Sequence, residues 1–211
     1  RGWMDDAPSY MPPIALDDPV RATTVGQVHA SDHPDYAPGD WVMGLNAIEE
    51  YSAVVPDGFT AKVDVSAVDS PSRFLSAFGA VGLTAYFGLL EVAKPQPGET
   101  VLVSGAAGAV GSVVGQIAKI HGCRTVGIAG GPDKCARLVE RYGYDAAVDY
   151  RGKSTEQLAD AIREVTPDGA NIVFENVGGT VFDAELMNLA KHARIVLCGL
   201  ISEYNSETKH G

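Results

Sequence analysis

The sequence predicts an α/β fold, a doubly wound parallel sheet preceded by a shorter β-rich unit, and three observations carry that prediction. First, residues 100–103 form an apolar run, followed by the small residues of 104–108 and then by Val110, Val113, Val114, Ile117 and Ala118 at helical spacing. Second, the short apolar runs 125–129, 146–148, 172–174 and 195–198 alternate with helix-like segments, one of which carries the stripe Leu158, Ala161, Ile162 and Val165. Such alternation belongs to a parallel sheet covered on both faces. Third, the opening of the chain is irregular: Pro8, Pro12, Pro13 and Pro19 interrupt it before any regular pattern begins.

Along the chain, residues 25–30, 41–45 and 51–55 are expected to form short strands, the first two joined through the turn Pro38-Gly39-Asp40. The change of pattern near residues 66–78 separates two domains, 1–75 and 76–211. The strand–turn–helix centred on Gly105-Ala106-Ala107-Gly108-Ala109-Val110-Gly111 is the most informative element. A helix start lined by small residues leaves its first amides open, and these bind anions. Gly108 clears an approach for a pyrophosphate, and Gly111 lets the helix lie close against the strand it has left. Ala106 stands where the first glycine of the dinucleotide fingerprint falls, and a turn of this kind also serves α/β proteins that bind no nucleotide.

After the second strand of the α/β unit, NAD-binding folds place an acidic residue for the ribose 2′-hydroxyl, whereas this chain has Ala129-Gly130-Gly131. Lys134 follows on the next turn, where it could pair with a 2′-phosphate, so NADPH is the expected cofactor. The alternative for Lys134 is a solvated cation at a helix start, mildly unfavourable against the macrodipole.

Composition narrows the class. Sixteen Lys and Arg against 27 Asp and Glu give a net charge of −11, which argues against a nucleic-acid partner, since that surface needs clustered cations. No apolar run approaches the ~20 residues of a membrane span. Cys123, Cys135 and Cys198 are odd in number and form no CxxC pair, pointing to a reducing compartment, the cytoplasm. The chain contains no G-x-S-x-G, no GxxxxGK[ST] and no HExxH, and His29, His33, His121, His192 and His210 show no ligand spacing. No metal is expected.

Four motifs in order, Gly82-Leu83-Thr84-Ala85-Tyr86-Phe87-Gly88-Leu89-Leu90, then residues 105–119, then Asn176-Val177-Gly178-Gly179, then Ser202-Glu203-Tyr204-Asn205, resemble the zinc-free medium-chain dehydrogenase/reductases. Within that family the chain is similar to the branch of leukotriene/prostaglandin reductases and NADPH-dependent curcumin reductases. The resemblance implies a partial GroES-like substrate domain over 1–75 and a Rossmann dinucleotide-binding domain over 76–211, incomplete at its C-terminus, with substrate meeting cofactor in a cleft between the two.

The implied activity is NADPH-dependent reduction of the carbon–carbon double bond of α,β-unsaturated aldehydes and ketones by hydride transfer to the β-carbon. A quinone oxidoreductase of the same superfamily, or a non-catalytic NADPH-binding protein, are the alternatives. Carried over by resemblance, Gly108, Ala109, Val110 and Gly111 hold the pyrophosphate, and Lys134 and Tyr150 the phosphate on the adenosine side. Asn176, after the fourth strand, is a further cofactor contact, and Cys198, Gly199, Ser202 and Tyr204 border the nicotinamide. Several of these have ordinary structural alternatives: Tyr150 as a strand-end aromatic, Cys198 as a small buried hydrophobe, Asn176 as a turn former.

By the same resemblance Tyr10, in Ser9-Tyr10-Met11-Pro12-Pro13, is the candidate catalytic residue, its hydroxyl meeting the substrate carbonyl; a tyrosine packed under a Pro-rich loop is the alternative. Ala80-Val81-Gly82 departs from the Met-Pro-Gly common in relatives, and Ala80 stands where zinc-dependent relatives place a cysteine ligand. The resemblance also implies a homodimer. It further implies about 60 residues before Arg1 and more than about 100 after Gly211, judged against usual domain sizes.

Overall fold

The computed structural model describes residues 11–204 of the chain. It divides into two compact units, Arg1–Ala80 and Val81–Gly211.

In the first unit, β1 (Arg21–Gln27) pairs antiparallel with β2 (Trp41–Ala47), and β3 (Ala61–Lys62) takes the other edge of β2. The register Arg21↔Ala47 through Gln27↔Trp41 starts β1 four residues before the expected run at 25–30. The turn at Pro38-Gly39-Asp40 forms as expected: Gly39 has φ 95°, the Asp40 carboxylate accepts the Ala37 amide at 2.8 Å, and Lys62 closes an ion pair onto Asp40 at 2.6 Å. The strand expected over 51–55 does not form. Tyr51 and Val55 are 79% and 89% exposed, so this apolar run has no core to enter. Two 3₁₀ turns follow, Val65–Ala67 capped by Asp64 and Pro71–Leu75 capped by Ser70.

The second unit opens with α1 (Ala80–Tyr86), which continues as a π-helical stretch, Phe87–Ala93, and stops at Lys94 in the left-handed region. Then come β4 (Thr100–Val103), α2 (Ala109–Ile120), β5 (Arg124–Ala129), α3 (Pro132–Tyr142), β6 (Ala146–Asp149), α4 (Thr155–Val165), β7 (Ala170–Glu175), α5 (Gly179–Leu186) and β8 (Leu189–Leu197). All strands are parallel in the order β6-β5-β4-β7-β8. The chain winds outward from β4 on one side, then returns to wind outward on the other.

The period of two along β4 divides its side chains between two cores. Val101 and Val103 pack with Val114 and Ala118 of α2 and Leu138 of α3; Leu102 packs with Leu158 and Ile162 of α4 and with Val181 and Ala184 of α5. Fully burying each such aliphatic side chain stabilises by about 1.5–3 kcal/mol. Residue choice at the helix ends agrees. Pro132 opens α3 and Gly143 closes it at φ 74°, while Ser154 and Gln157 form a reciprocal capping box on α4. β8 begins at Leu189, earlier than the apolar run at 195–198, and a register irregularity separates Ala170 from Ile172 on β7. As an outer strand it is largely exposed, so its first half, Leu189 to Arg194, carries no continuous apolar signal. Among the described residues no helix is long and apolar enough to cross a membrane.

Candidate functional site

β4 delivers the chain into a turn whose geometry depends on Gly105, at φ 56°. The Ala106 amide returns to the Ile128 carbonyl at 3.1 Å, and the Gly108 amide closes onto the Gly105 carbonyl at 2.8 Å. Gly105 therefore supplies the tight turn that Ala106 cannot, and the glycine set is Gly105, Gly108 and Gly111. A Cβ on Gly111 would stand 2.6 Å from the Gly105 oxygen and 2.7 Å from Ala106 Cα; one on Gly108 would stand 3.0 Å from the same oxygen. α2 starts directly after Gly108 with no side-chain cap, leaving the amides of its first turn directed at whatever lies before it.

Tyr144 braces this helix from behind. Its buried hydroxyl donates to the Gly111 carbonyl at 2.7 Å, and its ring lies where a Cβ on Gly115 would be, 2.1 Å from the nearest ring atom. Burial pushes the phenol well above its usual value, so it remains a donor at any physiological pH.

Beyond β5, Gly130 lies against the hydroxyl end of Tyr150 and Gly131 against the Arg151 guanidinium, each 3.0 Å from an ideal Cβ position. Lys134 projects from the first turn of α3. Asp149 Oδ1 accepts the amides of Gly131 at 2.8 Å and Arg151 at 3.0 Å; these bonds, Gly131 first, hold its carboxyl below the usual range. The connection after β6 thus fastens the connection after β5.

The third wall follows β7 and β8, and Glu175 is its centre. The Glu175 backbone carbonyl accepts the amides of Cys198 at 2.9 Å and Gly199 at 3.1 Å. Its carboxylate accepts the amides of Val177, at 2.5 Å, and Gly178 on Oε1, and the Ser104 hydroxyl on Oε2 at 2.6 Å. Ser104 Oγ in turn accepts the Asn176 amide at 2.8 Å, and the Asn176 carboxamide donates to the Ser104 carbonyl at 2.7 Å. Burial, and then Glu175, push the Cys198 thiol up, so it is an uncharged, compact side chain rather than a nucleophile. Tyr204 folds back over Gly199, its hydroxyl accepting the Leu200 amide at 3.3 Å.

These walls enclose a cavity of about 460 Å³ lined by Gly108, Ala109, Val110, Gly111, Lys134, Tyr150, Asn176, Cys198, Gly199 and Tyr204. It lies beyond the C-terminal ends of β4, β5, β7 and β8, where the winding direction reverses between β4 and β7. Ser202 does not line it. Its hydroxyl donates to the Val177 carbonyl at 2.6 Å and its amide to the same oxygen at 2.9 Å, which fastens the wall from outside. Tyr10 lies outside the described residues. Sequence reasoning missed Asp149, a carboxylate ending β6 that fastens Gly131. It also missed Glu175, a carboxylate ending a buried strand. A cavity of about 290 Å³ in the first unit, lined in part by His29, Tyr36, Asn46 and Tyr51, contains none of the expected site residues among those described. Among the described residues no group of three or more His, Cys, Asp or Glu is arranged to hold a metal.

Chemically, the cavity suits a long ligand with anionic groups at its middle and one end. The glycine turn leaves the helix start uncapped by any side chain, and Lys134 supplies positive charge to the cavity. A five-stranded parallel sheet with a site of this form at its switch point defines a Rossmann-like nucleotide-binding domain.

The comparisons agree. Residues 109–209 match the family model "Zinc-binding dehydrogenase", and residues 1–63 match "N-terminal domain of oxidoreductase". The chain belongs to the medium-chain dehydrogenase/reductase family. It is 43% identical over 206 residues to the NADPH-dependent curcumin reductase of Escherichia coli (strain K12), covering 98% of this chain and 58% of that protein. It is 41% identical over 203 residues to the NADP-dependent 2-alkenal reductase of Nicotiana tabacum, covering 96% of this chain and 58% of that protein. The structure of CurA from Vibrio vulnificus in complex with NADPH matches with a TM-score of 0.89 at 41% identity, covering 100% of this chain and 61% of that one. The chain thus spans about three-fifths of the length of these relatives.

Proposed function

We propose that the full-length protein containing this chain is an NADPH-dependent reductase of the carbon–carbon double bond in α,β-unsaturated aldehydes and ketones. One observation carries the reading: a helix start with no side-chain cap, the cation of Lys134 and the neutral thiol of Cys198 line a single cavity. The relatives named for curcumin and alkenal reduction support the substrate class.

The Ala109, Val110 and Gly111 amides would hold the pyrophosphate, and Lys134 with Tyr150 the 2′-phosphate. Asn176 would contact the cofactor, and Cys198, Gly199 and Tyr204 would border the nicotinamide, Cys198 as a neutral thiol. When bound, NADPH supplies a hydride to the substrate β-carbon. Negative charge then develops on the carbonyl oxygen, and Tyr10 is the residue assigned to meet it with a hydrogen bond. In this reading residues 1–75 are the opening of a GroES-like substrate domain and 76–211 the cofactor domain. The protein is a homodimer and works in the cytoplasm, where Cys123, Cys135 and Cys198 stay as free thiols.

The test is NADPH oxidation by the full-length protein over a panel of enones, enals and quinones. Turnover of enones and enals with a saturated carbonyl product supports the reading. Turnover of quinones alone makes it a quinone oxidoreductase, and cofactor binding without any turnover makes it a binding protein.

A further inference from the structure

The Asn176 carboxamide is held in one sense by its partners. Its nitrogen donates to the Ser104 carbonyl at 2.7 Å and makes a longer contact with the Phe174 carbonyl at 3.5 Å. Both partners are main-chain oxygens, which only accept, so the nitrogen has to lie on their side and the carboxamide oxygen on the other. Asn176 lines the cavity. With its N–H groups directed at main chain, what it has left for a ligand is an acceptor.

Two buried residues fix that arrangement. Ser104 holds Asn176 at two points, the carbonyl just described and Oγ, which accepts the Asn176 amide at 2.8 Å. The same hydroxyl donates to Glu175 Oε2 at 2.6 Å, while Glu175 Oε1 accepts the amides of Val177, at 2.5 Å, and Gly178. Both Ser104 and Glu175 are fully buried. An ionised carboxylate only accepts, so the Ser104 proton goes to Glu175 and the Ser104 lone pairs are left for the Asn176 amide. The strand order supplies the remaining piece: β5 and β7 flank β4 on opposite sides. Lys134 follows β5, the glycine turn follows β4 and Asn176 follows β7, so Asn176 stands across the turn from Lys134. A dinucleotide with its 2′-phosphate at Lys134 and its pyrophosphate at the turn brings its nicotinamide nucleoside to Asn176. That half carries ribose hydroxyls and a carboxamide N–H, the donors an acceptor recognises.

We propose that the Asn176 carboxamide oxygen accepts a hydrogen bond from a hydroxyl or carboxamide N–H of the nicotinamide nucleoside, and that Ser104 and Glu175 are positioning residues that aim it. The proposal rests on the NADPH-dependent reading given above. Asn176 touches the cofactor in this scheme; Ser104 and Glu175 act only through it.

The test uses the full-length protein and two ligands, NADPH and adenosine 2′,5′-bisphosphate, which carries the 2′-phosphate but no nicotinamide nucleoside. Dissociation constants for both, and melting temperatures, are measured for wild type, Asn176→Ala, Ser104→Ala and the double variant. Asn176→Ala should weaken NADPH binding by about threefold to tenfold, the size of one neutral hydrogen bond, and leave the bisphosphate within about twofold of wild type. Ser104→Ala should shift NADPH in the same direction, again without the bisphosphate. Because Ser104 acts through Asn176, the double variant should bind NADPH no more weakly than Asn176→Ala alone.

Equal losses for both ligands would overturn the proposal, since a general distortion of the cavity weakens both. So would a fall in melting temperature with NADPH affinity intact, and a double variant whose losses simply add would remove Ser104 from the positioning role. If Asn176→Ala does not fold, Ser104→Ala decides by the same comparison of ligands. A wild type that binds no NADPH overturns the reductase reading and this proposal with it, whereas a wild type that binds NADPH while every variant matches it overturns this proposal alone.

Discussion

Replacing Gly111 by Ala tests the cradle directly. The added Cβ would stand 2.6 Å from the Gly105 oxygen, 2.7 Å from Ala106 Cα and 3.0 Å from the Ala106 oxygen, all backbone atoms. No side-chain rotation relieves such a contact, so α2 must move away from the turn by something approaching an ångström. Overpacking of this kind costs about 1–3 kcal/mol, and with backbone on the opposing side the upper end applies. Ala in place of Gly inside a helix returns about 1 kcal/mol. The net loss of about 2 kcal/mol lowers the melting temperature by about 4–8 °C for a domain in this size range.

NADPH affinity should fall further than stability does, because the displaced amides are those assigned to the pyrophosphate, and each hydrogen bond to a charged group contributes about 1.5–3 kcal/mol. The assay is thermal melting with and without NADPH together with a fluorescence titration of the cofactor. Gly58→Ala is the control: nothing lies within 4 Å of its Cβ position, and stability should stay within about 0.5 kcal/mol of wild type. A Gly111→Ala protein with wild-type melting and wild-type NADPH affinity would refute the close-approach reasoning.

Other perturbations separate the parts of the site. Lys134→Ala should weaken NADPH binding by about 1.5 kcal/mol, the low end of the range for a solvent-facing charge, and leave NADH unchanged; equal losses for both cofactors, read as paired dissociation constants, would assign Lys134 to the helix instead. Tyr144→Phe removes the buried bond to the Gly111 carbonyl and should cost about 0.5–1.5 kcal/mol by denaturant titration, with a smaller effect on NADPH than Gly111→Ala has. Asp149→Ala removes the acceptor shared by Gly131 and Arg151, whereas Asp149→Asn keeps an accepting oxygen without the charge and should fall between wild type and Asp149→Ala. Because the folded-state proton affinity of Asp149 is depressed, its contribution is fully present above the unfolded value of about 3.9 and is lost as pH falls through the folded value. The stability gap between wild type and Asp149→Ala should therefore be constant near neutrality and close in acid.

What could be read from the sequence divides along physical lines. The parallel strands were legible because strands covered on both faces are short, continuous apolar runs, and the helices between them because one face alone is buried. The outer strand β8 was legible only over its last residues, where Val196 enters the core. The run at 51–55 misled because apolar content that enters no core does not make a strand. In the site, residues belonging to a local motif, Gly108, Gly111 and Lys134, could be found from spacing. Ser104 and Glu175 could not be paired that way, since they are 71 positions apart and meet only because β4 and β7 are neighbours.

The most direct test of the proposed reaction is the fate of the transferred hydrogen. The full-length protein is supplied with an enone and with NADPH deuterated at the transferable position of nicotinamide C4, and the product is examined by mass spectrometry and NMR. Deuterium on the β-carbon of a saturated ketone is the expected result. Deuterium on the carbonyl carbon of an unsaturated alcohol, or an enone recovered unchanged while NADPH is bound, would contradict it.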